Sequence, residues 1–179
     1  MTHKYNFYYF IDEFNINELI VLDNKINLIF RNYNKNIKID QIISDLKKFC
    51  KKTQRRIFIS NNLKIAQRYN LNGLYIPSFN KSLRFKNLNV KNGFRLIGSA
   101  HNINELKIKE KQGCEEIFIS PIFLNKKNNN FLDVIKFNML SLNTTKNINA
   151  LGGININNTK RLRLTKSLGI AGISYFKKK

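Results

Sequence analysis

Eight short apolar runs, spread along the whole chain, constrain its fold more than any other feature. They occupy residues 7–11, 26–30, 56–59, 73–76, 94–98, 116–120, 148–151 and 169–174. Each is rich in Ile and Phe and is mostly bounded by polar residues or glycine. Runs this short, apolar at successive rather than alternate positions, read as strands buried on both faces, as in a parallel sheet. Helix-like segments separate most of them. In the clearest, residues 40–52, Ile42, Ile43, Leu46, Phe49 and Cys50 recur at steps of three and four and share one face. Further helices are expected at 102–111, 131–142 and 158–168, a short one at 62–69, and weaker ones at 16–23 and 81–91. Gly113 and Gly169 punctuate two of these ends.

Strand–helix alternation with eight strands predicts an α/β fold, a minimal (β/α)8 TIM barrel. The 179 residues make one domain, 1–179, below the ~200–250 usual for that barrel. Five residues follow the eighth run, so the eighth helix is expected to be missing or truncated. The flank beside strands 8 and 1 should then be exposed or covered by a partner, and a homodimer is expected there.

Thirty-two Lys and Arg against 11 Asp and Glu give a formal charge of +21, which invites a nucleic-acid reading. However, the lysines form no long tract, and Asn alone supplies 29 of the 179 residues. A drift towards Lys, Asn, Ile and Phe is a compositional bias of the whole chain, so most of the charge is read as solvated surface. Interleaved Arg and aromatic motifs of the common RNA modules are missing, and nucleic-acid binding ranks last. Two cysteines exclude a disulfide framework or a Cys-rich zinc site. No apolar run approaches the ~20 residues of a membrane span, and the N-terminus opens no signal peptide. A cytoplasmic protein is expected.

The second half carries a signature. Leu96-Ile-Gly-Ser-Ala-His101-Asn is followed by Gly113-Cys-Glu-Glu-Ile-Phe-Ile-Ser-Pro-Ile-Phe123, then Ala150-Leu-Gly-Gly-Ile154 with Asn158, then Gly169-Ile-Ala-Gly-Ile-Ser174. In the first half, Tyr9-Phe-Ile-Asp12, Leu28-Ile-Phe-Arg31, Ile59-Ser-Asn-Asn-Leu-Lys-Ile-Ala66 and Gly73-Leu-Tyr-Ile76 fit more loosely. The whole pattern resembles the thiamine-phosphate synthase and thiazole tautomerase superfamily. Each motif alone is weak; the ordered pair Ser120-Pro-Ile-Phe123 and Leu151-Gly-Gly-Ile154 is specific.

The resemblance implies a thiamine-phosphate diphosphorylase of thiamine biosynthesis. Its reaction couples hydroxymethylpyrimidine diphosphate to thiazole phosphate and releases pyrophosphate. It further implies catalytic roles for Arg31 and Ser99, and substrate or phosphate contacts from Gly152, Gly153, Ile173, Ser174, Asn125 and Lys127. The family's two metal-binding Asp positions fall on Asn61 and Asn80, and neutral amides are far weaker Mg²⁺ ligands than carboxylates. No metal-ligating residue is therefore assigned, and any Mg²⁺ is expected to be held mainly by the substrate's pyrophosphate. Pro121 stands where the tautomerase base belongs, which argues against that branch. His101 is read as structural. The alternative is a catalytically silent phosphate-ligand-binding or regulatory relative.

Overall fold

The computed structural model describes residues 5–34, 38–85, 88, 90–125 and 130–176. Eight parallel strands close into a barrel: β1 (Asn6–Ile11), β2 (Ile26–Phe30), β3 (Ile57–Ser60), β4 (Gly73–Ile76), β5 (Arg95–Ala100), β6 (Glu116–Ile119), β7 (Asn147–Leu151) and β8 (Gly169–Gly172). Neighbours in sequence are neighbours in the sheet, and β1 closes the ring by pairing with both β2 and β8. The helices are α1 (Ile16–Ile20), α2 (Ile39–Lys52), α3 (Leu63–Arg68), α4 (Ile103–Lys111) and α5 (Asp133–Ser141).

Two cores result, because alternate strand residues point to opposite sides of the barrel wall. Inside lie Tyr8, Phe10, Ile29, Phe58, Tyr75, Ile97, Phe118 and Ala171. Outside, Tyr9, Leu28, Ile59, Leu74 and Ile117 meet the helices, including Ile43, Leu46, Phe49 and Cys50 of α2. The abundant Asn serves the helix starts. Asn15, Asn62 and Asn102 each accept a hydrogen bond from a first-turn N–H, of Glu18, Ile65 and Glu105 respectively.

The N-terminal end of the barrel is plugged by a polar group. The Glu116 carboxylate, fully buried, accepts from Tyr8 Oη at 2.8 Å and from Asn149 Nδ2 at 2.6 Å. Arg95 Nη2 lies 2.6 Å from its other oxygen, an ion-pair contact outside hydrogen-bond geometry. Burial, then the Glu116 charge, pushes the Tyr8 hydroxyl far above its ordinary range.

Three expectations need correction. The seventh connection carries a 3-10 segment, Thr159–Leu164, instead of the long helix expected over 158–168. Leu162 and Leu164 stand two residues apart, so one helical face cannot bury both, and Leu164 is exposed. Over 81–91 only a 3-10 turn, Leu83–Phe85, forms among the described residues. No helix follows β8 through Phe176, but the flank beside β8 and β1 is not bare. The Phe176 ring packs edge-on against Phe7 and Tyr9, with centroids 6.1 and 5.9 Å away, and covers part of that flank. Among the described residues no helix is long and apolar enough to cross a membrane.

Candidate functional site

Parallel strands deliver all their C-terminal ends to one mouth, the face on which (β/α)8 enzymes build their sites. Arg31 follows β2, Ser99 is the penultimate residue of β5, Gly152 and Gly153 follow β7, and Ile173 and Ser174 follow β8. These residues, scattered through the sequence, therefore stand around a single opening.

Arg31 is half-buried, with its backbone N–H bonded to Ile11 O at 2.7 Å. Its guanidinium carbon lies over the Phe10 ring, 4.7 Å from the centroid, a cation–π contact that helps position the fork. Beneath it, Tyr75 donates to Ser99 Oγ at 2.8 Å. Burial pushes the Tyr75 hydroxyl up to about 12, although Ser99 and the neighbouring Arg31 charge pull it the other way. Tyr75 thus stays a neutral donor. Beside this floor is a cavity of about 150 Å³, lined among others by Arg31, Phe10, Ile173, Asp12 and Glu13.

Across the mouth, both glycines of the β7 turn have positive φ, 88° at Gly152 and 72° at Gly153. A methyl group at Gly153 would lie 2.1 Å from Phe123 O, so the turn is pressed against the backbone that follows β6. Asn158 holds the turn by donating to Gly153 O at 2.8 Å. Nearby, Asp133 is occupied by Arg161, whose Nη2 donates to both carboxylate oxygens at 2.6 and 2.8 Å. That bond, with one from the Val134 N–H, holds the Asp133 carboxyl below its usual range. Asn125 lies on the same loop, whereas Lys127 falls outside the described residues. Ser174 is exposed.

The rim over β3 and β4 brings Asn61 and Asn80 together. Asn80 Nδ2 donates to Asn61 Oδ1 at 2.5 Å, and Asn80 Oδ1 accepts from the Ser82 N–H at 2.9 Å. Both amide oxygens are thus engaged by N–H donors, and neither carries charge. Among the described residues no cluster of three His, Cys, Asp or Glu could hold a metal ion. This donor set does not fit Mg²⁺, a hard cation that favours carboxylate oxygens. An aromatic pair roofs the same rim: Tyr33 and Phe79, both exposed, lie edge to face at 6.0 Å, with Tyr33 Oη 3.3 Å from Ser60 Oγ. His101 is tied into the start of α4, its ring Nδ1 and its backbone N–H both on Glu105 Oε2, at 2.9 and 2.7 Å.

Sequence reasoning missed Tyr75, Tyr33 and Phe79 as site residues, and it missed Lys109 altogether. Tyr75 left a signal, since it is the penultimate residue of β4, the place that Ser99 holds in β5. Lys109 left a fainter one, three residues after the buried Leu106 and so on the inward face of α4.

The comparisons with known proteins agree with this fold. Residues 20–176 match the family described as thiamine monophosphate synthase. The thiamine-phosphate synthase of Coprothermobacter proteolyticus is 26% identical over 131 residues, 72% of this chain and 62% of that protein. A thiamine-phosphate synthase of Prochlorococcus marinus is 26% identical over 75% of this chain but only 40% of its own length. The chain therefore spans less than two thirds of these curated relatives. A putative thiamine-phosphate synthase 2 of Aquifex aeolicus is 29% identical over 79% of this chain and 77% of its own. Among solved structures, a thiamine phosphate pyrophosphorylase from Pyrococcus furiosus superposes with a TM-score of 0.76 at 15% identity, covering 97% of this chain and 88% of that one.

Proposed function

The chain belongs to the thiamine monophosphate synthase family, and from that membership we propose that its barrel mouth joins hydroxymethylpyrimidine diphosphate to thiazole phosphate. In that reaction the bond between the pyrimidine methylene carbon and the diphosphate oxygen breaks, and its electron pair leaves with pyrophosphate. The thiazole nitrogen supplies the pair for the new C–N bond, and thiamine phosphate results.

One observation carries the reading: Arg31 is stacked on Phe10 at the mouth, above the Tyr75–Ser99 hydrogen bond. Charge grows on the departing pyrophosphate, and a planar guanidinium, pre-oriented over an apolar floor, is suited to meet it. Ser99 lies beside the substrate ring in this reading, oriented by the Tyr75 hydroxyl. The Gly152–Gly153 turn lets backbone approach the second phosphate closely, with Ile173 and Ser174 completing that side. Asn125 and Lys127 would add contacts to the phosphates.

A second reading has its own support. The Asn61–Asn80 pair lacks the carboxylates that the resemblance implies for catalysis, which favours a catalytically silent relative that binds phosphorylated ligands. The two readings separate in one assay. Purified protein is given both substrates, with and without Mg²⁺, and thiamine phosphate is quantified. Synthase activity predicts product that falls about 100-fold in Arg31→Ala, the loss of one charged hydrogen-bonding group at a phosphate. Binding of either substrate without product establishes the silent relative.

A further inference from the structure

The cation of the β3–β4 rim is built into the protein. Lys109, on α4, is fully buried, and among the described residues no carboxylate lies against its ammonium. Its three N–H donors go to Pro77 O at 2.8 Å, Asn80 O at 2.8 Å and Gln112 Oε1 at 2.9 Å. Gln112 then donates from Nε2 to Asn80 O and Ser82 O, both at 2.9 Å. Four of the pair's five donors are spent on the loop that carries Asn80, and the fifth joins Lys109 to Gln112. Room for the lysine stem comes from Gly98 in β5, where a methyl group would approach Lys109 Cδ to 2.8 Å. A positive charge thus sits bonded to the carbonyl of the residue whose side-chain amide locks onto Asn61.

We infer that this rim holds no divalent cation and that Lys109, acting through the Pro77–Asn80 carbonyls, is the positioning residue and fixed charge in its place. Two independent features support the assignment. The two amide oxygens of the rim each accept an N–H, Asn61 Oδ1 from Asn80 Nδ2 and Asn80 Oδ1 from Ser82, and are uncharged. A buried ammonium bonded to the Asn80 backbone carbonyl also repels any cation that would settle at the Asn80 amide. Phosphorylated ligands at this mouth then bind without a metal held by the protein.

The inference rests on the proposed reading only in taking this mouth as the ligand-binding face, and its test contains no ligand. Mn²⁺ is titrated into the full chain and free Mn²⁺ is followed by electron paramagnetic resonance. The expected result is that any Mn²⁺ uptake by the wild type is unchanged in Asn61→Ala. The Asn61→Asp/Asn80→Asp variant should gain a site of submillimolar affinity, and adding Lys109→Met should tighten it about tenfold. Where Lys109→Met does not fold, Lys109→Gln, which keeps a donor amide without the charge, replaces it. A wild-type Mn²⁺ site abolished by Asn61→Ala overturns the inference. An affinity in the double Asp variant indifferent to the charge at position 109 overturns the role of Lys109. The Asn61→Ala comparison decides the first point even if the Asp variant is unstable. Failure of the coupling assay leaves these outcomes untouched, so the two proposals fall separately.

Discussion

Gly153 has no room for a side chain. A methyl group there would meet Phe123 O at 2.1 Å, and its φ of 72° already costs an L-residue about 1–2 kcal/mol. Gly153→Ala is therefore expected to displace the β7 turn. Phosphate-ligand affinity should fall at least tenfold by calorimetric titration, while the far-ultraviolet circular dichroism of the barrel is retained. Unchanged affinity would remove the turn from the site. At this scale the sequence was legible where the backbone sets the requirement, as at the glycine pair; Arg31 and Ser99 were reached only through the resemblance. It was opaque where a role depends on a distant partner. A lysine inside a polar helix reads as solvated. The burial of Lys109 follows from the bare Cα of Gly98 and the carbonyls of a loop some thirty residues away.

Among the elements, the strands were the most legible, because burial on both faces leaves a largely apolar run for each of the eight. The connections were less so. Their apolar residues are sparse, and spacing alone separates a helix from a 3-10 turn, as Leu162 and Leu164 show. The polar plug joining β1, β5, β6 and β7 was also hidden, since Glu116 opens an apolar run and looks like its border. Breaking a buried, paired charge costs about 3–5 kcal/mol. Glu116→Ala should lose roughly that much in urea unfolding. It strands the Tyr8 hydroxyl and the Asn149 amide inside the barrel. A loss under about 1 kcal/mol would show that the plug contributes little, the level of an exposed ion pair.

For the molecule as a whole, buried titratable groups set the response to pH. Burial pushes Cys50, Cys114 and Tyr75 up to about 12. Their native pKa values lie above the unfolded ones, so the native state keeps protons that the unfolded chain releases from about pH 9 upward. Their stabilising contribution is complete below about pH 9 and is lost as pH climbs towards 12. Lys109 acts in the opposite direction. Burial lowers it to about 8, so its cost to the fold is full below pH 8 and is relieved as pH rises towards its unfolded value near 10.5. Thermal midpoints should accordingly hold or rise slightly between pH 8 and 9 and fall steeply above about 10. In Lys109→Met the early rise should vanish and the later fall remain. A midpoint flat to pH 12 would contradict the burial of these thiols and this phenol.

The central claim is that one mouth of this barrel, organised by Arg31, takes phosphorylated thiamine precursors or product. Calorimetric titration of thiamine phosphate into the wild type and into Arg31→Ala tests it most directly. Saturable one-to-one binding by the wild type is expected, weakened at least tenfold in the variant, while inorganic sulfate at the same concentration competes poorly. Absent binding, or equal affinity in both proteins, would contradict it.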